Sequence, residues 1–148
     1  MRLTQYTDYS LRVLIHLGLC PDRLATIQEI SEAYDISKNH LMKVVQRLAK
    51  NGYIESVRGQ GGGLRLKHPP AQIRIGEVIQ AMEPDFGVVE CLRSQNSCAI
   101  SPACKLSAIL KESMRLFTDN LDRYTLADLL PARSRSQLMQ LLNIGAAG

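Results

Sequence analysis

Between Thr26 and Leu66 the sequence strings together helix caps, a turn, a helix stop and a run of glycines, in an order that few folds accept. Thr26-Ile27-Gln28-Glu29 reads as a capping box, in which the Thr hydroxyl accepts from the third helical N–H and Glu29 reaches back to the cap. A short helix follows with Ile27, Ile30, Ala33 and Tyr34 inward, and Asp35-Ile36 makes a tight turn. Ser37 caps a second helix, which sets Leu41, Val44, Val45 and Leu48 on one face at i, i+3, i+4 and i+7. Asn51-Gly52 stops it, because glycine tolerates the left-handed backbone just past a helix end. Two short alternating strands, in Tyr53–Val57 and Leu64–Leu66, flank Arg58-Gly59-Gln60-Gly61-Gly62-Gly63 and predict a β-hairpin. Helix, turn, helix and basic glycine hairpin is the order of a winged helix-turn-helix.

Charge supports that reading. From Ser37 to Lys67 seven basic residues (Lys38, Lys43, Arg47, Lys50, Arg58, Arg65 and Lys67) face a single acid, Glu55. This stretch carries +6 while the whole chain carries +4, so everything else is net acidic. Concentrated basic charge is the electrostatic footprint of a polyanion site, although a run of lysines by itself also suits a solvated face. A P-loop is disfavoured, since the glycines do not lead from strand into helix and no Lys-Ser/Thr follows. The expected DNA contacts are Thr26 and Ser37 at the helix starts, and Lys38, Asn39, His40 and Lys43 on the reading helix. Arg58, Gly59, Gln60 and Gly61 supply those of the wing. Asn can read adenine edges and Lys guanine, free N–H groups at a helix start favour a phosphate, and Arg58 suits a narrow minor groove.

The 148 residues suffice for one small domain with an appendage. Tyr9 to Leu19 has helical apolar spacing, with Thr7 as its expected cap and Pro21 as its end. Pro69-Pro70 suggests a soft boundary, giving a DNA-binding domain over 1–70. Residues 71–130 would hold a cysteine loop and a dimerisation helix, and 131–148 a weakly ordered tail. Within the middle part, Ile75 to Met82 reads as a short helix. A long one starts at Pro102, with Leu106, Ile109, Leu110, Ser113, Phe117 and Leu121 on its stripe. The expected fold is mainly α: a winged helix-turn-helix with a long C-terminal dimerisation helix. No run is apolar for long enough to span a membrane, and the Leu17–Cys20 region fails as an export signal, so a cytoplasmic protein is expected.

Three of the four cysteines, Cys91, Cys98 and Cys104, fall within fourteen positions. In a reducing compartment such thiols are ligands more readily than disulfides, and thiolates favour zinc, copper(I) or iron–sulfur. No C-x-x-C pair is present, which weighs against most structural zinc sites. Ser101-Pro102 reads as a helix start that places Cys104 in a first turn, where the positive helix end favours a thiolate. A fourth ligand must come from elsewhere; His16, His40, His68 and the acidic residues are all open. Cys20, at the end of an apolar helix, reads as a packing residue. No nucleophilic triad, paired-carboxylate motif or cofactor fingerprint points to an enzyme.

The opening Met1-Arg2-Leu3-Thr4-Gln5-Tyr6-Thr7-Asp8-Tyr9, the segment Ser37-Lys38-Asn39-His40-Leu41-Met42-Lys43, the wing Val57–Gly63 and the three cysteines together resemble a known family. They look like the NsrR-type nitric-oxide-sensing repressors, within the wider family that includes the IscR-type iron–sulfur regulators. The resemblance covers about residues 1–130. It implies a homodimer on double-stranded operator DNA, with nitric oxide as the signal. It also implies an iron–sulfur cluster, 4Fe–4S in preference to 2Fe–2S, bound by Cys91, Cys98 and Cys104 with Asp8 of the partner subunit as the remaining ligand. From the residues alone Asp8 reads more simply as a first-turn acid favoured by the helix dipole. The IscR branch uses a His soon after its last cysteine, and Lys105 to Phe117 holds none. The alternatives are a redox or iron-status regulator on the same fold and a zinc-stabilised DNA-binding module that senses nothing.

Overall fold

The computed structural model describes residues 2–145. Its helices are α1 (Gln5–Leu19), α2 (Ile27–Tyr34), α3 (Lys38–Lys50), α4 (Ile75–Met82), α5 (Lys105–Leu121) and α6 (Ala132–Leu141). Strands β1 (Ile54–Val57) and β2 (Gly63–Leu66) form the hairpin between α3 and α4. The architecture is mainly α, with a winged helix-turn-helix at its N-terminal end.

Capping sets the helix starts. Thr4, not Thr7, caps α1: its hydroxyl accepts from Thr7 N–H at 3.3 Å. Thr7 is instead wholly buried inside the first turn. Thr26 accepts from Glu29 N–H at 3.1 Å, and Ser37 from His40 N–H at 3.3 Å. The reciprocal half of the expected box at Thr26 does not form, because Glu29 turns to Arg23 and His16. A complete capping box occurs instead at Thr125, whose N–H and hydroxyl both donate to Asp128. The turn from α2 to α3 passes through Asp35 in the left-handed region, and Gly52 takes it after α3.

Leu41, Val44, Val45 and Leu48 of α3 are buried against Val13, Leu14 and Leu17 of α1 and Ile30 of α2. Each such side chain contributes roughly 1.5–3 kcal/mol by leaving water. The hairpin is antiparallel, with Ile54 opposite Leu66 and Val57 opposite Gly63. Leu64 ties it to the start of α2 through paired backbone bonds with Ala25, of 2.8 and 3.0 Å.

No break in the core follows Pro69-Pro70. Ile73, Ile75, Val78, Ile79, Met82, Leu126 and Leu130 join the same buried cluster as the α1–α3 residues. The expected boundary at residue 70 therefore falls within one continuous core. After α5 the chain returns to its point of departure: Ile75 N–H donates to Tyr124 carbonyl, and Leu126 N–H to Ile73 carbonyl.

The segment after Pro131 departs from the expected weakly ordered tail. It forms α6, with Ile144 buried and Leu138, Met139 and Leu142 packed on the core. Arg135 donates to the carbonyls of Gly18 and Leu19, satisfying orphan acceptors at the end of α1. Positions 146–148 of that expected tail lie outside the described residues, as does Met1.

Candidate nucleic-acid interface and cysteine loop

On α3 the buried stripe leaves Lys38, Asn39, His40, Met42, Lys43, Gln46 and Lys50 exposed together. Thr26 and Ser37 are exposed as well. Each hydroxyl accepts from its own helix and keeps its hydrogen for an outside acceptor such as a phosphate. His40 lies beside Tyr9, their ring centroids 6.3 Å apart, which braces the start of α3 against α1. Met42 was not among the expected contacts; an exposed apolar side chain amid polar ones suits a thymine methyl.

Two of the seven basic residues drop out of the charge footprint. Arg47 donates to the Ala81 carbonyl at 2.9 Å, and its guanidinium lies 5.5 Å from the centre of the Tyr6 ring. Arg65 is paired across the hairpin with Glu55. Lys38, Lys43, Lys50, Arg58 and Lys67 remain exposed, and none enters an ion pair among the described residues.

At the wing tip Arg58, Gly59, Gln60 and Gly61 are all exposed. Gly59 and Gly61 have positive φ, at 100° and 73°. A Cβ on Gly62 would meet the Val57 carbonyl oxygen at 2.3 Å, so that turn closes only around glycine.

The cysteine loop runs from the end of α4 to the start of α5. Cys91 sits in a short 3₁₀ turn (Glu90–Leu92), and Cys98 N–H donates to Asn96 at 3.0 Å. Cys104 occupies the cap position of α5, preceded by a separate 3₁₀ turn over Ser101–Ala103; it is not inside the first turn as expected. The loop is stapled by Arg93 to the Gly87 carbonyl and by Asn96 to Ser101. Glu90 accepts from both the N–H and the hydroxyl of Ser97, which holds its carboxyl below the usual range. All three thiols are free and part-exposed. Among the described residues only one trio of His, Cys, Asp or Glu donors lies within 4.8 Å of one another, and it is a different one.

The donor chemistry of the loop nevertheless fits an anionic iron–sulfur group. It offers three accessible thiols, the last at the cap position of a 17-residue helix whose start no side-chain hydrogen bond caps. Uncapped N–H groups and the helix dipole both favour negative charge there. Asp8, in the first turn of α1, is half-exposed and pairs with Arg12 at 2.9 Å. Beside it, Glu83 at the end of α4 accepts from Thr4 N–H at 3.1 Å and Thr7 hydroxyl at 2.5 Å, joining the start of α1 to the loop. No local pattern announces Glu83, because its partners are 76 and 79 residues away.

A basic reading helix and glycine wing on one core define a winged helix-turn-helix protein. The chain belongs to the Rrf2 family, described as iron-dependent transcriptional regulators, which it matches over residues 3–132. It is 49% identical over 146 residues to the HTH-type transcriptional regulator NsrR of Bacillus subtilis, covering 97% of this chain and 99% of that one. The protein of the same name from Shouchella clausii is 43% identical over 88% of this chain and 89% of its own. These relatives are transcriptional regulators, not enzymes. Among solved structures, T. potens IscR superposes with a TM-score of 0.71 at 22% identity, over 93% of this chain and 91% of that chain. Staphylococcus aureus CymR does so with 0.65 at 26%, over 83% and 93%. No helix among the described residues is long and apolar enough to cross a membrane.

Proposed function

We propose that this chain is a homodimeric repressor whose grip on double-stranded operator DNA depends on an iron–sulfur cluster that reacts with nitric oxide. The observation that carries the reading is the placing of Cys91, Cys98 and Cys104 on a loop that ends at the uncapped start of α5. The names of the relatives at 43–49% identity point the same way. When bound, a 4Fe–4S cluster supplies iron that nitric oxide attacks. Cys91, Cys98 and Cys104 would hold such a group, and Asp8 of the partner subunit would complete the set.

A carboxylate is a harder and weaker partner for cluster iron than thiolate, so Asp8 is the ligand most easily given up. Asp8 is paired with Arg12 in the single chain and would have to leave that ion pair to serve as a ligand. Because α1 packs directly on α3, what Asp8 holds is felt at the reading helix.

Dimerisation is supported by α5, which buries none of its residues within the chain. Leu106, Ile109 and Leu116 are each more than half exposed, and with Ser113 they follow a heptad-like i, i+3, i+7, i+10 seam.

The test is anaerobic purification with iron and sulfide analysis, followed by operator titration with and without nitric oxide. The expected protein is brown and loses at least about tenfold in affinity on exposure, near 1.4 kcal/mol. Asp8→Ala should weaken cluster-dependent binding. A colourless protein with zinc on the three cysteines supports the non-sensing module instead. Binding by Asp8→Ala that stays tight and nitric-oxide-responsive overturns the bridging role.

A further inference from the structure

We infer that His16, Cys20 and Glu29 form a second metal site, for a zinc-class divalent cation, at the junction of α1 and α2. His16 and Cys20 stand one helical turn apart at the end of α1, and Glu29 comes from the first turn of α2. One imidazole nitrogen, the thiol sulfur and one carboxylate oxygen all lie within 4.8 Å of one another. His16 is fully buried and Cys20 nearly so, while the Glu29 side chain is 31% exposed. Nitrogen, sulfur and oxygen are the three donor types zinc takes, at bond lengths that put tetrahedral neighbours about 3.5 Å apart. The trio is therefore about one ångström of side-chain movement from closing on an ion.

His16 Nε2 lies 3.3 Å from Glu29, but Nδ1 is buried with no hydrogen-bond partner. Nε2, the nitrogen that faces Glu29, is therefore the one a cation would take. Burial lowers the His16 pKa and so keeps the ring neutral, the form that binds metals. Burial pushes the Cys20 thiol up, which argues against a redox-reactive thiolate there. A cation displaces that thiol proton to solvent as it binds.

Access is open on two sides. Glu29 forms the solvent edge, held by Arg23 in an exposed ion pair that costs little to exchange. A cavity of about 260 Å³ touches Cys20 between Leu17, Lys67 and His68. Water can take the fourth position.

The site lies where such a cation would matter for DNA. The segment from Cys20 to Glu29 carries Ala25, which pairs with Leu64 of the wing, and Thr26, which caps α2. A metal bound to both ends of this segment clamps wing and α2 onto α1, and its occupancy tunes operator affinity without involving the cysteine loop.

The decisive sample is the full chain carrying C91A, C98A and C104A, kept anaerobic and reduced, and titrated with cobalt(II) alone. The expected result is saturation at one equivalent, with a thiolate-to-cobalt charge-transfer band and tetrahedral d–d bands. Cys20→Ser should abolish the charge-transfer band, and Glu29→Gln should weaken binding by about tenfold or more. Circular dichroism establishes that each variant is folded. If Cys20→Ser proves unfolded, Glu29→Gln decides, since its part-exposed side chain leaves the core intact. Absence of saturable binding, a band unchanged by a folded Cys20→Ser variant, or unchanged affinity in Glu29→Gln overturns the site. Because the loop cysteines are removed, these outcomes are separate from the fate of the cluster reading.

Discussion

On α3, Lys43 points to solvent, while Arg47 one turn later donates to the Ala81 carbonyl and lies over Tyr6. The two residues carry the same charge, so a sequence pattern treats them alike. The structure predicts opposite outcomes for their alanine variants. Lys43→Ala should lower operator affinity with a melting temperature within about 1–2 °C of the parent, because nothing buried is lost. Arg47→Ala leaves a part-buried carbonyl without its donor and should cost about 1–3 kcal/mol of stability. Thermal unfolding together with operator titration checks both, and equal stability loss in the two variants contradicts the assignment. Residues with a local signature were legible in this way: Thr26 and Ser37 as caps, and the wing glycines as a turn only glycine can close. Residues defined by distant partners were not. Glu83 acquires its role from Thr4 and Thr7, and His16 from Glu29, through folding that no spacing rule encodes.

At the scale of elements, periodicity located α3 and α4 because each buries a single stripe against one core. It was less informative for α6, whose weak amphipathic pattern gains its order from docking Arg135 and Ile144 against α1 and the core. The start of α5 was misplaced by one turn, since Ser101-Pro102 begins a 3₁₀ turn rather than the helix itself. Of the stripe expected on α5, Leu106, Ile109 and Ser113 stay exposed and are continued by Leu116, which the sequence reading did not include, while Leu110, Phe117 and Leu121 are part-buried and Leu121 packs on the core. Ile109, 61% exposed near the middle of that seam, tests its purpose. Ile109→Asp puts a charge where a second helix would pack, while disturbing no contact inside the chain's own core. The expected outcome in analytical ultracentrifugation is a monomer with unchanged helical content. A variant that stays dimeric moves the dimer interface elsewhere.

For the whole molecule, the net charge of +4 understates the DNA-facing field and the +6 stretch overstates it by one, because Arg47 is turned to the Ala81 carbonyl; Arg65 is cancelled on the surface by Glu55, which the +6 already counts. Five exposed cations of that stretch, unpaired among the described residues, remain per chain, or ten in a symmetric dimer. Counterion release then bounds the salt dependence: ten phosphate contacts give a log–log slope of about −9, and each lysine removed from a dimer takes away two contacts, about 1.8 of that slope. Lys38→Ala, Lys50→Ala and Lys67→Ala should therefore flatten the salt dependence by up to this step. Arg65→Ala and Arg47→Ala should leave the slope unchanged even where they alter stability. Fluorescence anisotropy across a salt series measures this directly. If Arg65→Ala flattens the slope as much as Lys38→Ala, the hairpin ion pair with Glu55 opens on DNA and the wing reads phosphates with both of its arginines. If the monomeric Ile109→Asp variant keeps the full slope, the two reading heads are not bound to one operator at once, and coupling through α1 and α5 is not what sets affinity.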